Sequence, residues 1–178
     1  MRVLEGLEPK KVFEYFEKLC SVPHGSGNTK IISDLCVGFA KELGLRYRQE
    51  ACNNLIIWND GSVGYEQSEP IILQGHIDMV CAKTDECAKD MAAEGLDLRT
   101  DGEWVWADQT SLGGDNGIAV ALMMTVLITG ASSGIGAGLA KSFAADGHLV
   151  IACGRDASRL AALQQFSPNI SVRLFDMT

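Results

Sequence analysis

At 178 residues the chain is long enough to bury a core as one large domain or two small ones. Its 47% apolar and 21% charged residues are ordinary for a globular protein, and a net charge of −8 argues against a nucleic-acid or anionic-membrane surface. The charge is lopsided, with 11 basic and 20 acidic side chains up to Met124 but only 4 and 3 from Thr125 onward, a composition step that marks a boundary.

The N-terminus, MRVLEGLEPKK, has no long apolar run, so no signal peptide is expected. Val12, Phe13, Phe16 and Leu19 then make a helical stripe over Pro9–Cys20. Pro23 to Gly27 reads as a loop. Ile31, Ile32, Leu35, Phe39 and Leu43 share a helical face over Asn28–Leu43, and Gly44 ends it. Leu45–Gln49 and Asn54–Trp58 read as short strands, and Asp60–Pro70 as a polar loop. Pro70–Met79 reads as a buried strand that turns polar at its end, where alternation sets His76 and Asp78 on one side. An imidazole with a carboxylate beside it suits a metal ligand held in orientation, but a satisfied surface histidine has the same look. Cys81–Thr100 is a polar excursion, and Gly102–Ala107 a strand with aromatic packing. Asp115 follows in the glycine-rich turn Gly113–Gly117, just before an apolar helix pattern. It reads either as a metal-bridging carboxylate or as a plain helix N-cap.

From Thr125 the pattern changes. Thr125–Thr129 is a buried parallel-strand run, followed by Gly130, Gly134 and Gly136 in a G-x-x-x-G-x-G spacing. Ile135, Leu139 and Phe143 give a helix face. His148–Cys153 is a second strand, Ala157–Phe166 a helix and Ile170–Phe175 a third strand. Strand-helix-strand-helix-strand is half of a doubly wound nucleotide-binding sheet. Its glycines let a pyrophosphate approach the unpaired N–H groups at a helix N-terminus. Asn116–Ala140 carries no charge and is long enough to cross a bilayer, but the Gly, Ser and Thr of Thr129–Gly138 break the run, so no membrane span is expected. None of the six cysteines forms a C-x-x-C pair, which points to free thiols and a cytoplasmic location.

Four motifs, Ser21-Val22-Pro23-His24, Leu73–Val80, Asp101–Val105 and Leu112–Ile118, together resemble the bacterial aminoacyl-histidine (Xaa-His) dipeptidases, cytosolic two-zinc metallopeptidases. The resemblance covers residues 1–124. It implies that His76 ligates one zinc and Asp115 bridges both. Asp78, the candidate catalytic side chain, supports His76, and the peptide bond after Asp115 is cis. The family's downstream Glu-Glu pair, which supplies the general base, has no counterpart, because no glutamate follows Glu103. Residues 125–178, with Thr-Gly-Ala-Ser-Ser-Gly-Ile-Gly at 129–136, resemble the start of a classical short-chain dehydrogenase/reductase. That resemblance implies that Gly130, Ser132, Ser133, Gly134, Ile135 and Gly136 line the cofactor. Arg155 would meet an adenosine 2′-phosphate, favouring NADP over NAD, and Asp176 would contact the adenine. Arg155 as a solvated loop charge and Asp176 as a strand-end cap stay open. The family's catalytic Tyr-x-x-x-Lys occurs nowhere in the sequence.

The expected fold is α/β, an incomplete metallopeptidase sheet (1–124) fused to a three-stranded parallel half-Rossmann unit (125–178). Helix and strand patterns compete over Leu122–Leu127, a local conflict that weighs against one well-funnelled fold. Open sheet edges are expected to pair with each other or, by self-association, with a second copy of the chain. The expected function is a binding module for zinc and NADP(H) without turnover. The alternatives are a residual dipeptidase completed by a second chain and a recombination product with no ligand.

Overall fold

The structure, a computed structural model, describes residues 2–60, 67, 69–70, 72–128, 131–145, 147 and 150–174. They fall into two compact units, Met1–Asn59 with Ile72–Met124, and Asp60–Ile71 with Thr125–Thr178.

In the first unit, α1 (Lys10–Cys20) buries Val12, Tyr15, Phe16, Leu19 and Cys20, a stripe at helical spacing, and packs against α3 (Gly114–Met123). α2 (Lys30–Glu42) buries Ile32, Cys36, Phe39 and Ala40. Its buried face is rotated from the expected one, for Ile31 and Leu43 are exposed. The inward face is the one that covers the hairpin of β1 (Arg46–Gln49) and β2 (Leu55–Trp58). Ser33, fully buried on that face, donates from Oγ to the Asn53 carbonyl at 2.8 Å and accepts from Gln49 Nε2 at 2.8 Å, so its burial leaves no polar atom unpaired. Tyr15 and Phe39 meet edge-on at 5.0 Å and join α1 to α2.

Pro70–Met79 departs from the expected buried strand. Ile72 and Leu73 are exposed, and among the described residues only Met79 forms a bridge, to Gly25. An apolar run becomes a ladder strand only where another strand supplies hydrogen-bond partners along its length. The polar excursion conceals a strand that the pattern missed: β3 (Leu98–Thr100) pairs antiparallel with β4 (Val105–Ala107), burying Leu98 against Ala107.

In the second unit, β5 (Val126–Ile128), β6 (Val150–Gly154) and β7 (Ile170–Leu174) form a parallel three-stranded sheet in the order β5-β6-β7. α4 (Gly134–Ala145) packs on β5 and β6, α5 (Ala157–Gln164) packs on β6 and β7, and the helices touch each other. The core between them holds Ala140 and Ala144 of α4, Val150 and Ala152 of β6, Leu160 and Leu163 of α5, and Ile170 of β7. Leu139 and Phe143 flank this core, whereas Ile135, expected on the same helix face, is exposed. The fold class is α/β, with small sheets throughout.

The competition over Leu122–Leu127 resolves within two residues. α3 runs to Met123, Met124 caps it with its N–H on the Val120 and Leu122 carbonyls, and β5 starts at Val126.

Candidate functional site

Two segments of the first unit meet at His76. The first is anchored by its backbone: Met79 N donates to the His24 carbonyl at 3.0 Å, and Ser26 N donates to the Met79 carbonyl at 3.1 Å. The second is the turn into α3. Gly113 caps that helix in left-handed conformation, with φ of +68°, and packs against Met79 and His24. Ser111 links the two, accepting from Ala82 N at 3.1 Å and donating to the Val80 carbonyl at 2.6 Å. Asp115 and Asn116 depart from helical φ/ψ, and the peptide bond between them is cis.

This framework puts His76 Nε2 3.1 Å from Asp115 Oδ1. On the other side of the ring, Nδ1 lies 3.0 Å from the Asp78 carbonyl oxygen and 3.3 Å from Asp78 Oδ1. Both ring nitrogens therefore face oxygens. A neutral imidazole has one N–H, so the second contact needs either a second proton or a cation between nitrogen and carboxylate. The hydrogen bond to the Asp78 carbonyl, with the Asp115 carboxylate, holds His76 above its ordinary pKa. The Ser26 hydroxyl, 2.5 Å from Asp78 Oδ2, holds Asp78 below the usual carboxylate range. His76 is half exposed and Asp115 almost fully so. A small cavity beside the site is lined by Phe16, Leu19, His24, Ile77, Asp78 and Gly113.

The donor set suits a divalent metal in kind, since an imidazole nitrogen held by a bond at its far nitrogen and a carboxylate oxygen are ordinary zinc ligands. In number it supplies two ligands, and no cluster of three or more such groups occurs among the described residues. Sequence reasoning found His76, Asp78 and Asp115. It passed over Ser26 and the buried His24 as loop, because the contacts that bring them here span 52 residues or more of chain in one case and a glycine turn in the other.

In the second unit, parallel pairing brings the ends of β5 and β6 to one side of the sheet, so the turn after β5 and the residues after β6 are neighbours there. Ala131 N donates to the Cys153 carbonyl at 2.8 Å, fixing the turn against β6. A Cβ at Gly154 would come within 3.0 Å of the Ser132 side chain, so the close approach needs glycine there. Ser133, Gly134 and Ile135 are exposed at the start of α4, with Ser132 and Gly136 half-buried, and Arg155 is exposed just past β6. The start of α4 thus lies near the end of β6, one residue before the exposed Arg155, and a helix N-terminus with its positive dipole end suits a phosphate group. Gly130 and Asp176 lie outside the described residues.

All six cysteines are free. No helix among the described residues is long and apolar enough to cross a membrane.

Comparison with known proteins divides along the same line. A family model described as short chain dehydrogenase matches residues 124–178. The chain is 36% identical over 127 residues to the cytosol non-specific dipeptidase of Escherichia coli, covering 71% of this chain and 26% of that protein. It is 60% identical over 42 residues to a probable NADP-dependent dehydrogenase of Dichelobacter nodosus, covering 24% of this chain and 40% of that protein. Among solved structures, the aminoacylhistidine dipeptidase of Vibrio alginolyticus superposes with a TM-score of 0.64 at 34% identity, over 68% of this chain and 25% of that one. The chain therefore spans well under half the length of each relative. Residues 1–124 resemble the N-terminal part of an aminoacyl-histidine dipeptidase and residues 125–178 the N-terminal part of a short-chain dehydrogenase/reductase, so the chain is a chimera of the two.

Proposed function

We propose that the chain is a two-ligand binding module, holding a zinc ion through residues 1–124, a partial dipeptidase domain, and NADP(H) through residues 125–178, a partial Rossmann unit. The observation that carries the reading is His76 with oxygens at both ring nitrogens, one of them the Asp115 carboxylate at 3.1 Å. A cation at Nε2 satisfies both donors at once. His76 and Asp115 hold the metal, and Asp78 orients the imidazole by occupying Nδ1. When bound, zinc supplies Lewis acidity and lowers the pKa of coordinated water.

For the cofactor, Gly130, Ser132, Ser133, Gly134, Ile135 and Gly136 cradle the pyrophosphate at the α4 N-terminus. Arg155 takes the 2′-phosphate, which selects NADP, and Asp176 meets the adenine. The name of the Dichelobacter relative supports the same choice. Residues 104–178 hold no glutamate and residues 66–178 no tyrosine, so this stretch by itself offers neither a glutamate general base nor a tyrosine proton donor. The module works in the cytoplasm, where its six thiols stay reduced. Its sheet edges pair with those of a second copy, and concentration-dependent dimerisation in light scattering is the check.

Thermal unfolding with zinc and with NADPH added separately tests the binding reading. Each ligand is expected to raise the melting temperature, by mass action worth about 2.7 kcal/mol at a hundredfold excess over Kd. No shift with either ligand overturns it. Hydrolysis of an Xaa-His dipeptide, abolished by a chelator, replaces it with the residual-dipeptidase reading.

A further inference from the structure

His24 is a buried ring with one nitrogen satisfied and the other not. It is 5% exposed, and Nδ1 lies 2.7 Å from the Val22 carbonyl oxygen. A carbonyl oxygen only accepts, so Nδ1 carries a proton, and in the neutral ring Nε2 keeps a lone pair. Nε2 has no hydrogen-bond partner among the described residues. A buried acceptor left without a donor forfeits the bond it makes with solvent in the unfolded chain, so native proteins rarely leave one so.

That nitrogen faces open space. The ring lines the small cavity whose walls include Phe16, Leu19, Ile32 and Val120, and Gly113 lines it too. A Cβ built at Gly113 would stand 3.3 Å from Nε2, so glycine keeps the approach to that atom clear. The cavity leaves about 10 Å³ for the centre of a water molecule. One buried water needs about 10–15 Å³ on that measure, with two to four polar partners, so the space suits one and no larger ligand. Asp78 is the second acceptor in the lining. Its carboxylate takes the Ser26 hydroxyl and faces His76 Nδ1, and it still has lone pairs to offer.

We propose that this cavity is a binding site for a single water molecule, which donates one proton to His24 Nε2 and the other to Asp78. Two acceptors match the two protons of one water. The site needs no metal. It adds a side-chain link between two segments already joined by the bond from Met79 N to the His24 carbonyl, and it is what lets a histidine sit among apolar walls.

The test uses the full chain without added metal, as wild type, Val120→Ile, which fills the cavity, and Val120→Ala, which enlarges it. NMR cross-relaxation from water to His24 Hδ2, the ring proton beside Nε2 and away from the Nδ1 proton, is read first. Wild type and Val120→Ala are expected to show it with opposite signs in NOE and ROE, the mark of a held water. Val120→Ile is expected to lose it, with the Nε2 nitrogen shift moving to that of an unbonded acceptor and a lowered melting temperature. The signal should survive Ser26→Ala, which removes the hydroxyl on Asp78 as a relay. Absence of the signal in wild type overturns the inference, as does its persistence in Val120→Ile or its loss in Ser26→Ala. A dry cavity gives the opposite thermal result, a melting temperature raised by the added methylene of Val120→Ile, and that also overturns it.

Discussion

A side chain at Gly113 would meet two obstacles. The backbone there is left-handed, and a Cβ would stand 2.9 Å from Met79 Sδ and 3.3 Å from His24 Nε2. The left-handed conformation alone costs an L-residue about 1–2 kcal/mol. The Met79 thioether is flexible enough to move aside, but His24 is buried and held through Nδ1 by the Val22 carbonyl at 2.7 Å. Gly113→Ala is therefore expected to lower stability by at least about 1–2 kcal/mol in urea unfolding. On the proposed metal binding it should also weaken zinc uptake, because the turn that carries Asp115 shifts. At the start of α5, Asp156 accepts from Arg159 N at 3.0 Å, and that bond, with one from the Ser158 hydroxyl, lowers its pKa. A carboxylate with a lowered native pKa adds stability that is fully present above its unfolded value of about 3.9 and fades as pH falls through the lower native value. Asp156→Asn keeps a capping oxygen but removes this titration. Its melting temperature should fall less steeply than wild type as pH drops below about 4, measured by circular dichroism.

Among the elements, β6 and α5 show how burial sets the cost of change. Leu160 is 2% exposed in the core between α4, α5 and the sheet. Leu160→Ala should cost about 2–5 kcal/mol, read from urea unfolding of the full chain. In the first unit Phe39, wedged against Tyr15, should cost about 3–5 kcal/mol when cut to alanine. These helices were legible from spacing because Leu19 and Phe16, or Leu160 and Leu163, recur on one face whatever else the chain does. Pro70–Met79 was not, since an apolar run says that a segment prefers burial but not whether a neighbouring strand exists to pair with it. β3 hid in a charged stretch, because Leu98 is the one residue of Leu98–Thr100 that it buries. Ile135 matched the helical period of Leu139 and Phe143, but it sits in the first turn of α4 and is 79% exposed. Of the candidate site, His76, Asp78 and Asp115 were visible as motif residues. Ser26 was not, because no local pattern records a contact 52 residues away.

Across the whole molecule, thiol reactivity should map the two kinds of environment. Burial pushes the Cys20 thiol up to about 12 and the Cys36 thiol to about 11, and it raises Cys153 as well. Cys52 and Cys81 are exposed. Alkylation of the native protein near neutral pH, read by peptide mass spectrometry, should label Cys52 and Cys81 first, with Cys20 and Cys36 reacting only on unfolding. The same molecule changes from helix to strand between Met123 and Val126, with Thr125 buried at the bend. A protease needs several residues of accessible, pliable chain to seat a scissile bond. Only Met124 and Thr125 separate α3 from β5 at the seam, so mild digestion should spare it and nick the exposed turn at Asp101–Trp104 instead, and cutting the gene is the way to obtain either segment alone.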